Sequence, residues 1–82
     1  MSEVKDLNQR LNELTQQIET QPQNIDLFIE RGKLNHRMGN FGAAMNDFLV
    51  VQEIDPENKV AEEFIDFINE ILNFRNLDLY NP

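Results

Sequence analysis

Apolar residues recur at helical spacing along most of the chain, and no stretch shows the sustained alternation of apolar and polar residues that is typical of strands. In the first segment the apolar residues stand three or four positions apart: Val4, Leu7, Leu11, Leu14 and Ile18. This spacing places them on one stripe and predicts a helix from about residue 3 to about residue 20. Gln21-Pro22 ends that helix, because proline disfavours helical geometry in the residue before it.

The next two helices are predicted to form a hairpin. Asn24 can cap a helix over residues 25–38, and Gly39 supplies its left-handed stop. Asn40 follows directly and can cap a third helix over residues 41–54. Because only Gly-Asn separates the two helices, we expect them to run antiparallel.

A fourth helix is predicted over residues 56–75. Asp55-Pro56-Glu57 fits an N-cap, a proline at the first helical position and an acid near the positive end of the helix dipole. Residues 76–82 remain as a tail that could fold back over the helix or stay mobile. We therefore predict an all-α fold in which four antiparallel helices form a single domain over residues 1–82.

The composition limits the domain count and the kinds of partner. The 82 residues suffice for one small domain. The 7 Lys plus Arg against 15 Asp plus Glu give a net charge of −8, which disfavours nucleic acid and anionic membrane surfaces as partners. The chain has no cysteine, no apolar leader at its charged start and no apolar run of membrane-spanning length. We expect a cytoplasmic protein.

Catalytic and metal-binding patterns are not found in the sequence. His36 is the only histidine, and no Glu-x-x-His pair is present, so we expect His36 to be a solvated helical residue rather than a metal ligand. The few hydroxyl side chains have no histidine at motif spacing, and the glycines form no phosphate-binding loop. We expect neither an enzyme nor a bound cofactor or metal.

An internal repeat appears in the spacing of the prolines, since Pro22 and Pro56 lie 34 positions apart and each precedes a predicted helix. The segment between them resembles the tetratricopeptide repeat, with Ile25 as the first of 34 positions; the matching residues are Phe28, Gly32, Gly39, Phe41, Ala44, Phe48 and Asp55-Pro56. The resemblance covers residues 25–58 and makes the flanking helices half-repeats, the last of them a cap.

The resemblance implies a close helical hairpin in which Gly32 meets Ala44, while Phe41 and Phe48 fill the space between hairpins. Two residues depart from the family pattern. Arg31 stands where a leucine is usual and Asn35 where a large aromatic is usual, and we expect both to loosen the packing between the helices.

The resemblance also implies a groove lined by the second helix, whose positions facing it are Asp26, Ile29, Lys33, His36 and Arg37. The basic members could bind an acidic peptide or a C-terminal carboxylate. In the alternative reading, Lys33 and Arg37 pair with Glu63 and Glu70 of the fourth helix.

The fourth helix carries two apolar stripes: Val60, Phe64, Phe67, Ile71 and Phe74 in one, and Ala61, Ile65, Ile68 and Leu72 in the other. One stripe should pack on the third helix. The other would be exposed to water unless the tail, a partner protein or a second copy of the chain covers it. We predict a non-catalytic protein–protein interaction module that binds a peptide or helix of another protein, with a homodimer formed through the fourth helix as the alternative. The predicted contact residues are Ile29, Lys33, His36, Arg37, Phe67 and Ile71.

Overall fold

The chain folds into four α-helices joined by short turns. The computed structural model describes the backbone of residues 3–80 and the side chains of residues 5–73. The helices are α1 (Glu3–Thr20), α2 (Ile25–Arg37), α3 (Phe41–Ile54) and α4 (Lys59–Tyr80), and residues 3–80 contain no strand. The predicted all-α class is confirmed.

The helices pack mainly on their neighbours in sequence, α1 on α2, α2 on α3 and α3 on α4. The radius of gyration is 13.9 Å, against about 12 Å for a compact domain of this length. The Cα atoms span 45 × 38 × 17 Å. The molecule is therefore a thin slab, and many apolar side chains that pack against the core are only partly buried.

The predicted stripe on α1 faces the rest of the molecule. Leu14 is fully buried, while Leu7, Leu11 and Ile18 are half-buried. Val4, the first member of the stripe, lies outside the described side chains.

Two turns of the same form join α1 to α2 and α3 to α4. They comprise residues 21–24 and residues 55–58, and in each the fourth residue's amide donates to the first residue's carbonyl, at 3.1 and 3.0 Å. Proline is the second residue of both turns, where its fixed φ is favourable. The preceding helices end at Thr20 and Ile54 and the following ones begin at Ile25 and Lys59, so the boundaries recur after 34 positions.

The predicted start of the fourth helix was wrong by three residues. Asn58, not Asp55, caps α4, because the Asn58 Oδ1 accepts the Ala61 amide at 3.0 Å. The Asp55 Oδ1 instead accepts the Glu57 amide within the turn, at 3.3 Å. Pro56 is thus a turn residue rather than the first residue of the helix.

The predicted end of the fourth helix was wrong as well. Residues 76–80 of the expected tail continue α4 as far as Tyr80, since no proline or glycine interrupts the chain after Arg75 until Pro82. These residues therefore do not fold back over α4. Residues 81–82 lie outside the described residues.

Gly39 terminates α2 as predicted, although the helix ends at Arg37, one residue before the predicted end. Gly39 adopts a φ of +82°, and the amides of Gly39 and Asn40 donate to the carbonyls of His36 and Asn35 at 3.1 and 2.8 Å. These two bonds form a Schellman motif. Asn40 is the N-cap residue of α3 by position, but its side chain makes no capping hydrogen bond.

Phe48 lies at the centre of the core. Its side chain is fully buried and its ring stacks on Phe64 of α4, with centroids 4.6 Å apart. On the other side is Gly32 of α2, where an added Cβ would lie 2.8 Å from the Phe48 Cζ. Phe48 therefore joins α2, α3 and α4, and the space beside Gly32 is filled first by this ring rather than by the buried Ala44.

Candidate functional site

An open aromatic groove lies between α2 and α4. It has a volume of about 270 Å³ and is lined by His36, Glu63, Phe64 and Phe67, the set called the aromatic groove below. Phe64 packs against the core, whereas Phe67 is 53% exposed. The structure thus brings His36 and Phe67 together, two of the residues predicted to contact a partner.

His36 is half-buried among aromatic rings, so the prediction of a solvated residue was wrong. Its imidazole makes edge contacts with Phe41, Phe64 and Phe67 at centroid distances of 5.3 to 5.4 Å. Its Nε2 atom is buried and has no hydrogen-bond partner in the described part of the chain. This burial could not be predicted from residues near His36, because two of the three rings belong to α4.

The other predicted contact residues on α2 occupy different environments. Ile29 packs against the core, while Lys33 and Arg37 are exposed. Asp26 is exposed in the first turn of α2. No ion pair joins Lys33 to an acid among the described residues, so its expected pairing with the acids of α4 is not formed there.

Both apolar stripes of α4 contribute to the core, which differs from the expected division into one covered and one open stripe. The α4 residues that are buried or packed against the core are Val60, Ala61, Phe64, Ile65, Ile68 and Leu72. Phe67 remains open, and Ile71, one turn further on, is half-buried. Phe74 lies outside the described side chains. The open apolar surface of α4 is therefore centred on Phe67.

Carboxylates surround this open surface. Glu63, Asp66 and Glu70 are exposed, and none of them forms an ion pair with another described residue. Glu62 differs, since it lies 3.8 Å from the Lys59 ammonium. The uncompensated charge on α4 next to Phe67 is thus negative.

A second, polar cleft of about 370 Å³ lies among α1, α2 and α3. Its lining residues are Leu11, Asn12, Thr15, Arg31, Asn35, Ala43, Asn46 and Asp47. Asp47 is only 3% exposed, and it belongs to the helix that also contributes the buried Ala44, Phe48 and Val51.

Arg31 satisfies this buried carboxylate. Its Nη2 donates to the Asp47 Oδ1 at 2.7 Å and its Nε to the Asp47 Oδ2 at 3.0 Å. Asn35 adds a longer contact to the same carboxylate at 3.4 Å, and the Arg31 Nη1 donates to the Thr15 Oγ1 at 3.3 Å. Arg31 and Asn35, which depart from the repeat pattern, therefore join α2 to α3 and do not merely loosen the packing.

An exposed ion pair links α1 to α2. The Arg10 Nε donates to the Glu30 Oε2 at 2.7 Å and the Arg10 Nη2 to the Glu30 Oε1 at 2.9 Å. These hydrogen bonds hold the pKa of the Glu30 carboxyl below its ordinary value and raise the pKa of Arg10. Because both side chains are well exposed, we assign the pair a minor bracing role.

Within the described residues, no three His, Cys, Asp or Glu side chains come together as metal ligands would. None of the described helices has the length and apolar character needed to cross a bilayer.

The chain was compared with protein-family models, with curated proteins and with solved structures. It matches none of them.

Proposed function

We propose that this protein is a non-catalytic protein–protein interaction module whose aromatic groove binds a peptide or a helix of another protein. The observation that carries the proposal is the exposure of Phe67 beside His36 and Phe64 in an open groove. Large aromatic side chains in such settings are frequent anchors of protein interfaces. By contrast, Phe28 and Phe48 are buried in the core.

The floor of the groove is already organised. Phe64 stacks on the fully buried Phe48, and His36 contacts three rings. A partner that docks here needs to order few side chains, so little conformational entropy is lost on binding. Affinity would come from apolar burial on Phe67, at about 1.5 to 3 kcal/mol for each large side chain buried before association costs.

We further propose a tetratricopeptide-like stack that acts as an adaptor in the cytoplasm. The 34-residue recurrence of helix boundaries supports this relationship, as does the fit of the Phe48 ring against Gly32. In that arrangement α2 and α4 line the same groove. The cysteine-free, acidic composition suits a cytoplasmic adaptor.

The alternative function, self-association through α4, would use the same open surface at Phe67 and Ile71. Sedimentation of the purified chain tests this alternative. A monomer across the concentration range supports binding of a different protein, whereas a dimer that Phe67→Ser converts to a monomer supports self-association.

The proposed function is tested by affinity capture from an extract of the source cells. The bait variants are the wild type, Phe67→Ser with Ile71→Ser, and Leu49→Ser. Leu49 is the matched control, because it is a large apolar residue on α3 that is 44% exposed. We expect proteins captured by the wild type to be lost from the α4 double variant and retained by Leu49→Ser. Equal recovery of these proteins by all three baits would contradict binding at the aromatic groove.

A further inference from the structure

We infer that the segment bound in the aromatic groove is cationic: an amphipathic helix with one large apolar side chain flanked by lysine or arginine. The inference rests on the proposed function and adds the chemistry of the partner. It follows from the arrangement of open charges around Phe67.

Two carboxylates bracket the exposed ring along α4. Glu63 lies four residues before Phe67 and Glu70 three residues after it, so all three residues share one face of the helix. Glu63 also lines the groove. Both carboxylates are exposed and form no ion pair with the described residues.

The spacing of these carboxylates suits a helix that lies along α4. Seven helical residues span about 10 Å, so a partner helix would present two basic residues about two turns apart with its apolar anchor between them. Each basic residue would then face one carboxylate while the anchor covers Phe67. Such charges set orientation and speed association, and the apolar anchor supplies most of the affinity.

The exposed basic residues of α2, Lys33 and Arg37, do not line the aromatic groove, whereas Glu63 does. The Nε2 of His36 is buried among phenylalanine rings. The whole chain carries a net charge of −8, which attracts cationic segments and repels acidic ones. We therefore favour a basic partner over the acidic peptide considered from the sequence.

A second copy of the chain fits this surface poorly. A two-fold contact centred on Phe67 would bring Glu63, Asp66 and Glu70 of one copy beside the same carboxylates of the other. Like charges placed together in this way oppose association. The charge pattern thus indicates a different protein as the occupant.

Selection from a phage-displayed library of random peptides, with the full chain immobilised, tests the inference. We expect the peptides enriched on the wild type relative to Phe67→Ser to carry a large apolar residue with Lys or Arg three or four positions to either side. Glu63→Gln with Glu70→Gln should bind these peptides at least about fivefold more weakly. The loss should shrink between about 50 mM and about 500 mM salt, because salt screens exposed charges.

The matched control is Asp6→Asn with Glu19→Gln, which removes the same charge from exposed positions on α1. It should bind the selected peptides as the wild type does. Selected peptides with acidic or neutral flanks, or equal binding by the Glu63 and Glu70 variant, would overturn the cationic partner while leaving the groove in place. Failure to enrich any peptide over Phe67→Ser would overturn the proposed function itself.

Discussion

Gly32 admits the ring of Phe48 because it has no side chain. The three nearest heavy atoms to its Cβ position are Phe48 ring carbons, at 2.8, 2.9 and 3.1 Å. Real Cβ atoms do not approach a neighbour so closely, and the ring cannot retreat because Phe64 stacks on it. Gly42 differs, since no heavy atom lies within 4 Å of its Cβ position.

Gly32→Ala should therefore destabilise the protein. Overpacking costs about 1 to 3 kcal/mol, and the better helix propensity of alanine offsets up to about 1 kcal/mol of that. We expect a net loss of about 1 kcal/mol in the free energy of unfolding, measured by urea titration of the helical circular dichroism. Gly42→Ala, the control, should be neutral or slightly stabilising. An equal gain in both variants would show that Phe48 does not press on Gly32.

Residues whose role depends on near neighbours in sequence were predictable. Asn24 caps α2 by accepting the Asp26 amide at 3.1 Å, and Gly39 ends the same helix. His36 was not predictable, because its burial depends on Phe64 and Phe67, which lie about 30 positions further along the chain.

Pairing of α2 with α3 depends on both apolar packing and the buried ion pair. Asp47 is 3% exposed, while the Arg31 side chain is 23% exposed. Arg31 can reach water if its partner is lost, but Asp47 cannot. The two halves of the pair should therefore differ in how much their removal costs.

Arg31→Leu should destabilise by about 3 kcal/mol or more, because it leaves a buried carboxylate unpaired. Asp47→Ala should cost less, about 2 kcal/mol, since the guanidinium stays partly hydrated. The double variant should be more stable than Arg31→Leu alone. Urea unfolding of all four proteins gives the coupling energy of this cycle. Strict additivity of the two single changes would contradict a direct interaction.

The contact between α1 and α2 should depend on pH through Glu30. Arg10 donates hydrogen bonds to the Glu30 carboxylate and so holds its folded-state pKa below the ordinary value that it has in the unfolded state. The stabilisation is therefore fully present above that unfolded-state value and is lost as the pH falls through the lower folded-state value.

Glu30→Gln should accordingly be slightly less stable than the wild type near pH 7, and the difference should vanish as the pH is lowered past the folded-state pKa. Thermal unfolding between about pH 7 and pH 3 measures it. Glu53→Gln is the control, because Glu53 is exposed and forms no ion pair with the described residues. A difference for Glu30→Gln that grows on acidification would contradict the assigned pair.

Apolar periodicity predicted all four helices, but it did not locate the start of α4. Asp55-Pro56 and Asn58 are both acceptable helix-start signals in sequence, and the structure uses Asn58. The buried polar cluster was also missed. Its signal was present in Arg31, Asn35 and Asp47, which stand where apolar residues would otherwise pack, but their pairing joins two helices and is not a local property.

At the scale of the whole molecule, the thin slab explains why a groove exists at all. Helices that pack mainly on their sequence neighbours leave their outer surfaces uncovered. Between α2 and α4, His36 contacts Phe64 and Phe67. The resemblance to the tetratricopeptide repeat predicted which residues of α2 face the groove. The contribution of Phe64 and Phe67 to the groove could not be predicted in the same way. It depends on the distance between α2 and α4, which Phe48 sets by packing between Gly32 and Phe64.

The most direct test of the account is photo-crosslinking in the source cells with benzoylphenylalanine placed at position 67 and, in a separate strain, at position 49. Both positions carry large, exposed apolar residues, so the probe should not disturb the fold at either position. We expect a covalent adduct with another protein from position 67 and none of that adduct from position 49. Absence of an adduct at position 67, or the same adduct from both positions, would contradict binding at the aromatic groove.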